Sequence, residues 1–523
     1  MTAAKNPRGQ PTSAGGQELP PTSRFVLNAD AEAKIRDAAR DALNTSFARL
    51  TEERVLPRSR YRPWIWMARD YFGHAVEGSG GALAEALEAA LPGRFETQSA
   101  HSIDYPWNYA SALLEAAVAA ATLAGEPYEV ASPSVQTTID ELIEKVQAIP
   151  RSTVLRLVAD VDVEHSPVSK GYHDPLGETI EVAGVRVIRV ENEPEQFIER
   201  ELPSAGYEVE RSRVVVYPGP VSLLAATVEL MADYETRVNE ARRLVDHLIA
   251  AIRLATGSTA RAVIDIEGDP DRVQRIRPSI TPLPSSWFRF VYRPVTLAKT
   301  DVPGLLHLVS LIGSWGEQGD WMPVRIAMGR LNRSLDGQTP GIVDQVIDLA
   351  IGMEAALAGT DRTDIGLRLR TRAADILATD ADPPEAIYRD VKTLYDLRST
   401  FVHGGSLAAK KADKAIKSVT GTAETSSPAE QYLLALDRWR DVLRRAILAR
   451  IALTTAAVPW TEGESRLDVD AFLLRENNRD AWREHIRAFW AARSLPDAQN
   501  RAPAASLTFG AASDASTDAG RTA

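Results

Sequence analysis

The sequence predicts an α+β protein of several folding units: a helical amino-terminal block, a central mixed α/β region with a mainly antiparallel sheet, and an all-helical carboxyl-terminal bundle. At 523 residues the chain is longer than one hydrophobic core supports. Apolar residues recur at the helical period near both ends, whereas β-branched residues alternate with polar ones in the middle.

Composition removes whole classes of site. The chain has no cysteine, which excludes disulfides, zinc–thiolate sites, iron–sulfur clusters and cysteine nucleophiles. Its formal net charge of −11 gives no overall attraction to nucleic acid or to an anionic membrane, so a polyanion would have to be held by a local patch.

The polar amino terminus does not resemble a secretory signal. The apolar stretch 109–125 is shorter than the roughly 20 residues of a membrane span. We therefore expect a cytoplasmic protein with no membrane contact.

Segment boundaries follow from changes in pattern along the chain. Residues 1–24 and 496–523 are small and polar and predict disorder. An α+β region should occupy 25–318, helical to about 150 and sheet-containing from 151 onward. The predicted strands lie within 153–164, 178–193, 207–219, 260–268 and 285–297.

One long helix is predicted to interrupt the sheet, over residues 221–255. Apolar positions along it are separated by alternating threes and fours, which is typical of a heptad seam. Two interpretations stay open: the stripe packs on the sheet of its own chain, or it forms a coiled coil with another subunit.

Five helices are predicted for the bundle at 319–457, and Pro or Gly pairs separate them. They cover 320–335, 341–358, 364–377, 384–403 and 428–456. A last amphipathic helix falls within 458–495. The small polar segment 405–427 predicts either a mobile lid or disorder.

A search for known catalytic motifs finds no phosphate loop, dinucleotide turn, nucleophile elbow or zinc-protease helix. Residues 160–165, with His173 and Asp174, contain enough oxygen and imidazole groups for a metal site. However, Val161 and Val163 alternate with acidic residues, as in a strand with one wet face, so no metal and no cofactor is predicted.

The second and fourth bundle helices each place a charge on an apolar face. Glu354 ends the stripe of the second helix, and Arg398 interrupts the stripe of the fourth, so the two should pair. A packing role for this ion pair is the alternative. His403 follows where two glycines end the helix, beside the negative end of the helix dipole, which favours a protonated imidazole. On an ideal helix Arg398 and His403 diverge by about 140°, unless the helix end unwinds or two subunits share the site.

These helices resemble the HEPN domain, specifically the ApeA-like group of bacterial proteins, over about residues 319–457. The resemblance depends on AMGRLNRSL (327–335), VIDLAIGMEAAL (346–357), RLRTRAA (368–374), LYDLRS (394–399) and VHG (402–404). It implies a homodimer in which two Arg-x4-6-His motifs form one metal-independent endoribonuclease site. By position, Arg398 and His403 are the catalytic pair, Ser399 fills the polar position after the arginine, and Glu354 is the acidic residue. The family also implies a sensor of an unknown trigger in the preceding region.

The chemistry of RNA cleavage suits these residues. Attack of the ribose 2′-hydroxyl on phosphorus requires proton transfer, which His403 can perform, and a fixed cation, which Arg398 supplies. Basic residues flank them and are candidates for phosphate contact, with a solvated surface as the alternative: Arg368, Arg370, Arg372, Lys410, Lys411, Lys414 and Lys417. The leading hypothesis is an anti-phage defence ribonuclease that cuts tRNA or mRNA. The alternative is a non-catalytic HEPN dimerisation or nucleotide- or RNA-binding module.

Overall fold

The computed structural model describes residues 26–52, 80–92, 106–148, 151–164, 179–189, 221–229, 234–269, 272–278, 289–315, 321–335, 341–358, 364–404, 409–420, 428–455, 469–502 and 506–509. The chain divides into two compact units, Met1–Pro150 with Glu229–Tyr234, and Arg151–Val228 with Glu235–Ala523. The predicted boundary near 319 therefore falls inside the second unit, which contains both the sheet and the carboxyl-terminal helices.

The first unit is helical, as predicted. Its described helices are α1 (Ala29–Glu52), α2 (Gly80–Ala90), α3 (Pro106–Ala124) and α4 (Pro133–Gln147). Leucines and isoleucines at helical spacing are fully buried where these helices meet, for example Leu43, Leu83, Leu114 and Ile139. Burial of each such side chain stabilises the fold by about 1.5–3 kcal/mol. One apolar cluster shared by the four helices therefore stabilises the described part of this unit.

A six-stranded sheet begins the second unit. Its strands are β1 (Arg151–Ala159), β3 (Thr179–Val182), β4 (Val185–Arg189), β5 (Val221–Glu229), β6 (Arg261–Asp269) and β7 (Arg272–Pro278). Their order in the sheet is β3-β4-β5-β1-β6-β7. The pairs β3–β4, β4–β5, β1–β6 and β6–β7 are antiparallel. An antiparallel central sheet is thus confirmed, whereas the strand predicted within 207–219 lies outside the described residues.

The predicted helix over 221–255 is wrong in its first part. Val221–Glu229 is strand β5, in which Leu224 pairs with Val187 of β4, and only Tyr234–Thr256 is helical (α5). An apolar run of this kind is compatible with the period of a helix and with that of a strand, and pairing with β4 favours the strand. On α5, Val238, Val245 and Ile252 are buried within the chain itself, so their stripe does not need a second subunit to cover it.

Two further strand pairs join distant parts of this unit. Strand β2 (Val161–Val163) runs parallel to β9 (Val295–Leu297), and β8 (Arg289–Tyr292) runs antiparallel to β10 (Ser506–Phe509). The prediction of disorder throughout 496–523 is therefore wrong for the described part of that tail. Arg444 explains the ordering, because it donates to the carbonyls of Ala498 and Asn500 at 2.7 and 2.6 Å.

The remaining elements of the second unit are helical, as predicted for the carboxyl-terminal part. They are a short 3₁₀ turn (Lys299–Asp301), α6 (Val302–Ser314), α7 (Met322–Leu335), α8 (Ile342–Met353) with a π-helical turn (Glu354–Ala358), α9 (Ile365–Leu377), α10 (Pro384–Val402), α11 (Ala409–Thr420), α12 (Pro428–Thr455), α13 (Val469–Leu473) and α14 (Glu476–Ala491). Within the segment 405–427, which was predicted to be a mobile lid or disordered, residues 409–420 form α11, whose Ile416 and Val419 are buried. The rest of that segment lies outside the described residues.

Buried ion pairs fix α10 against α12. Arg438 donates to Asp382 and Asp390, each at 2.8 Å, and all three side chains are at most 5% exposed. Arg445 also pairs with Asp382. Charges removed from water in this way are tolerated only when each has a partner, and the interlocked set holds the end of α9, the start of α10 and the middle of α12 together.

Candidate functional site

Glu354 and Arg398 meet where the π-helical turn after α8 faces α10. Arg398 Nη2 lies 3.6 Å from Glu354 Oε1, and the two side chains are 27% and 22% exposed respectively. The predicted pair is therefore brought together, at the edge of the bundle and not in its centre. A charged pair that keeps access to solvent can also reach a ligand.

The hydrogen-bonding capacity of this pair is incompletely used. The 3.6 Å separation exceeds a hydrogen bond, and both Glu354 Oε1 and Arg398 Nε are buried without a hydrogen-bond partner among the described residues. Burial raises the pKa of the Glu354 carboxyl, and the Arg398 charge acts in the opposite direction. The Arg398 side chain as a whole is 27% exposed, and a partly exposed guanidinium is suited to bind an oxyanion.

The backbone around Glu354 departs from α-helical geometry. Residues Glu354–Ala358 form a π-helical turn, a rare feature that is frequent at functional sites. Arg372 stabilises this turn, because its Nη1 donates to the carbonyls of Leu357 and Ala358, each at 2.8 Å. Sequence periodicity does not reveal such a turn.

Tyr395 is a site residue that the sequence reasoning missed. The Arg398 guanidinium lies 5.7 Å from the centroid of the Tyr395 ring, within range of a cation–π contact. A Cβ at Gly366 would lie only 2.8 Å from that ring, so glycine there lets the tyrosine pack against α9. The available signal was the spacing of three between Tyr395 and Arg398, which places them on one helix face.

His403 caps the carboxyl end of α10 and is exposed. Its backbone N–H donates to the carbonyl of Ser399 at 3.3 Å, and Gly404 then turns the chain with φ of 72°. The helix therefore does not unwind between Arg398 and His403, and their divergence of about 140° is retained. The side chains of Arg398 and His403 in one chain therefore point in different directions.

The predicted phosphate-contacting arginines of α9 have structural partners. Arg372 is 6% exposed and binds both carboxylate oxygens of Asp470, at 2.6 and 2.9 Å. Arg368 Nε lies 3.1 Å from the same carboxylate. Arg372 is thus buried and joins α9 to α13, and its contact with phosphate stays a prediction. Arg370 packs 5.2 Å from the Tyr388 ring centroid.

The predicted lysines lie on α11, which packs against α10 and α12. Lys414 and Lys417 are exposed on its outer face. Lys410 and Lys411 belong to the same helix, and their side chains lie outside the described residues. The described cations of α11 thus face solvent beside the helix that contains Arg398.

The acidic segment around Asp160 has a structural role. Val161 and Val163 are buried, as predicted, but Asp160 is buried too instead of lying on a wet face. Its carboxylate accepts from Thr259 Oγ1 at 2.7 Å and from Arg261 Nη2 at 3.2 Å. His165, His173 and Asp174 lie outside the described residues. Within the described ranges no three His, Asp or Glu side chains cluster as metal ligands would.

No family model matches the chain, and comparison with curated proteins and with solved structures gives no match either. Among the helices that the structure describes, none combines the length and the apolar character that a bilayer span requires. Any assignment of function therefore depends on the site residues themselves.

Proposed function

We propose that this chain is a cytoplasmic, metal-independent endoribonuclease of the HEPN type that acts in bacterial anti-phage defence, with tRNA or mRNA as substrate. One observation carries the proposal: Arg398 and Glu354 form a partly exposed pair with unused hydrogen-bonding groups, on the helix that ends at the exposed His403. The HEPN resemblance of residues 319–457 supplies the reaction class.

In the proposed reaction the ribose 2′-hydroxyl oxygen attacks the adjacent phosphorus and the bond to the 5′-oxygen of the next nucleotide breaks. The products are a 2′,3′-cyclic phosphate and a 5′-hydroxyl. His403 takes up or delivers the proton, and Arg398 stabilises the charge that develops on the phosphorane oxygens. Glu354 keeps the guanidinium in place, and Ser399 lies next to it in the chain as a polar neighbour of the scissile phosphate.

The helical geometry favours a site shared by two subunits. Because α10 continues without unwinding to Val402, Arg398 and His403 of one chain diverge by about 140°. A twofold dimer that apposes two α10 helices would place the arginine of one subunit near the histidine of its partner. The proposed enzyme is therefore a homodimer through the bundle, activated by a trigger that the residues before the bundle recognise.

The test compares wild type with Arg398→Ala and His403→Ala in cells at matched protein levels, with and without phage challenge. The readouts are growth, total RNA integrity and the chemistry of the cleaved ends. Matched controls are Arg487→Ala, at a 61% exposed side chain on α14, and His307→Ala, at an exposed residue of α6. A parallel assay with purified protein includes EDTA.

We expect wild type and both controls to cleave RNA or protect cells, with cleavage insensitive to EDTA and cyclic phosphate ends. Each site variant should lose at least a hundredfold in cleavage, as when a general acid–base group is removed. If both site variants retain the wild-type phenotype, the nuclease proposal fails.

A non-catalytic binding module is the alternative, and one observation favours it. The chain already uses buried Arg–Asp pairs for packing, as between Arg438 and Asp382, so Glu354–Arg398 could serve the same purpose. In that case Arg398→Ala lowers the melting temperature while His403→Ala changes neither stability nor the cellular phenotype.

A further inference from the structure

Glu354 alone does not hold the guanidinium of Arg398 in one orientation. Arg398 Nη2 lies 3.6 Å from Glu354 Oε1, which is beyond the range of a hydrogen bond. An ion pair of this kind attracts the charge, but it does not define the plane of the guanidinium as a bidentate hydrogen-bonded pair would. Because an arginine side chain has several rotatable bonds, a second contact is needed to fix its orientation.

The ring of Tyr395 provides a second contact. Tyr395 precedes Arg398 by three positions on α10, which places both side chains on one face of the helix. Arg398 Cζ lies 5.7 Å from the centroid of the ring, and a cation at this distance is attracted to the face of an aromatic ring. The guanidinium is therefore constrained from two elements, by Glu354 of the π-helical turn and by Tyr395 of its own helix.

Helix α9 keeps the Tyr395 ring in place. A Cβ at Gly366 would lie 2.8 Å from both Cδ1 and Cε1 of the ring, which is closer than van der Waals contact. The ring thus occupies the space that a side chain at position 366 would fill. Since α9 and α10 pack against each other, the ring is confined between its own helix and α9.

The glycine at position 366 is explained by this contact and not by its backbone. Gly366 is the second residue of α9, and it is not among the glycines with positive φ. An alanine would suit a helical backbone better than glycine does. The close approach of the Tyr395 ring is the feature that requires a residue without a side chain here.

We propose that Tyr395, held in place by Gly366, is a positioning residue that presents the Arg398 guanidinium to the scissile phosphate in a fixed orientation. This inference rests on the proposed nuclease function. Arg398 is 27% exposed, so the oriented guanidinium stays accessible to substrate. A cation that is already oriented stabilises the phosphorane without reorganising during the reaction. The face of the ring produces the effect, and the Tyr395 hydroxyl is not required.

The test measures cleavage of total cellular RNA by the full chain, purified from phage-challenged cells, as the rate at which 5′-hydroxyl ends form. Tyr395→Phe keeps the aromatic ring, and Tyr395→Leu removes it. Tyr395→Leu is also combined with Arg398→Ala. The melting temperature of each variant shows whether it folds.

A second pair of variants displaces the ring without changing it. In Gly366→Ala the added Cβ meets the Tyr395 ring at 2.8 Å, so the ring must shift. The matched control is Gly329→Ala, the same substitution in helix α7, where the added Cβ meets nothing within 4 Å.

We expect cleavage by Tyr395→Leu to be about three- to tenfold slower than by wild type, as for the loss of one cation–π contact. Gly366→Ala should lie between wild type and Tyr395→Leu, whereas Tyr395→Phe and Gly329→Ala should retain the wild-type rate. With Arg398→Ala already present, Tyr395→Leu should have no further effect, because no guanidinium is left to position. A purely structural role would instead slow cleavage by the same factor with and without Arg398.

Two results would overturn the positioning role and leave the nuclease proposal intact. One is a wild-type rate in both Tyr395→Leu and Gly366→Ala while Arg398→Ala is inactive. The other is an equal loss from Tyr395→Leu with and without Arg398. Gly366→Ala decides the matter if Tyr395→Leu does not fold. An absence of cleavage by wild type would refute the nuclease function itself, and this inference with it.

Discussion

At Glu354, burial and ion pairing act in opposite directions. Removal from water favours the neutral carboxyl, whereas Arg398 favours the carboxylate, and burial is the larger effect. The ionised Glu354 carboxylate therefore lowers the free energy of unfolding at neutral pH. Such a cost is typical of residues selected for function instead of packing.

The pKa of Glu354 gives a prediction on pH and stability. Because its pKa in the folded chain is raised above the ordinary 4.5, the stability associated with its protonation is complete below 4.5 and is lost as pH rises through the raised value. We expect the melting temperature of wild type minus that of Glu354→Gln to decrease as pH rises from 4.5. Thermal unfolding between pH 4 and 8 measures it.

The control for this measurement makes the same chemical change at Glu385, which is exposed on α10. Wild type and variant share every other titrating group, so the difference between their melting temperatures reports only on the position that was changed. A melting-temperature difference for Glu354→Gln that is constant over the whole pH range would contradict a raised pKa.

At the scale of single elements, α11 is an amphipathic surface helix with two exposed lysines. Ile416 and Val419 are buried against the bundle, and Lys414 and Lys417 are exposed on the opposite side. The helix packs against α10, so a phosphate backbone that passes over α11 would continue toward Arg398. Arg372, in contrast, is committed to Asp470 and gives no such surface.

Charge reversal on α11 gives the second prediction. Lys414→Glu with Lys417→Glu should weaken RNA binding uniformly across sequences, and should reduce the slope of log affinity against log salt by about 2, since each phosphate contact contributes about 1. Fluorescence anisotropy with an RNA oligonucleotide, at several salt concentrations and with His403→Ala to prevent cleavage, measures both quantities.

Lys34→Glu with Arg40→Glu on α1 introduces the same change in net charge in the first unit, at one exposed and one partly exposed position. An equal loss of RNA affinity in this control pair would show that the net charge of the protein determines the affinity, and that α11 makes no specific contact with RNA.

At the scale of the whole molecule, the divergence of Arg398 and His403 gives the third prediction. If the shared site of the dimer combines the arginine of one subunit with the histidine of the other, a mixed dimer of Arg398→Ala and His403→Ala subunits retains one of the two Arg–His combinations. We expect the mixture to recover a substantial part of wild-type cleavage, up to about half per mixed dimer, although each variant alone is inactive.

Mixing purified variants after reversible dissociation, or co-expressing them with different affinity tags, provides the measurement. The double variant Arg398→Ala/His403→Ala mixed with wild type serves as control. A mixture of the single variants that stays as inactive as either alone would contradict the shared site and require both residues from one chain.

The sequence by itself determined the periodic parts of this protein. Helices α7, α8, α9, α10 and α12 follow from apolar spacing and Pro or Gly boundaries. Their predicted ends agree with the structure to within about two residues when the π-helical turn is counted with α8. The same spacing placed Glu354 and Arg398 on apolar faces, which predicted their pairing because a charge there needs a partner.

Only the tertiary structure decided the rest, because those features depend on contacts between distant residues. Pairing with β4 made Val221–Glu229 a strand, and Arg444 ordered the polar tail through its carbonyl contacts. Packing against α10 and α12 folded α11 from a segment of small polar residues. Residues from α5, the β8–β9 turn, α7 and α12 meet around Arg440, and no local pattern encodes a meeting of elements so far apart in the chain.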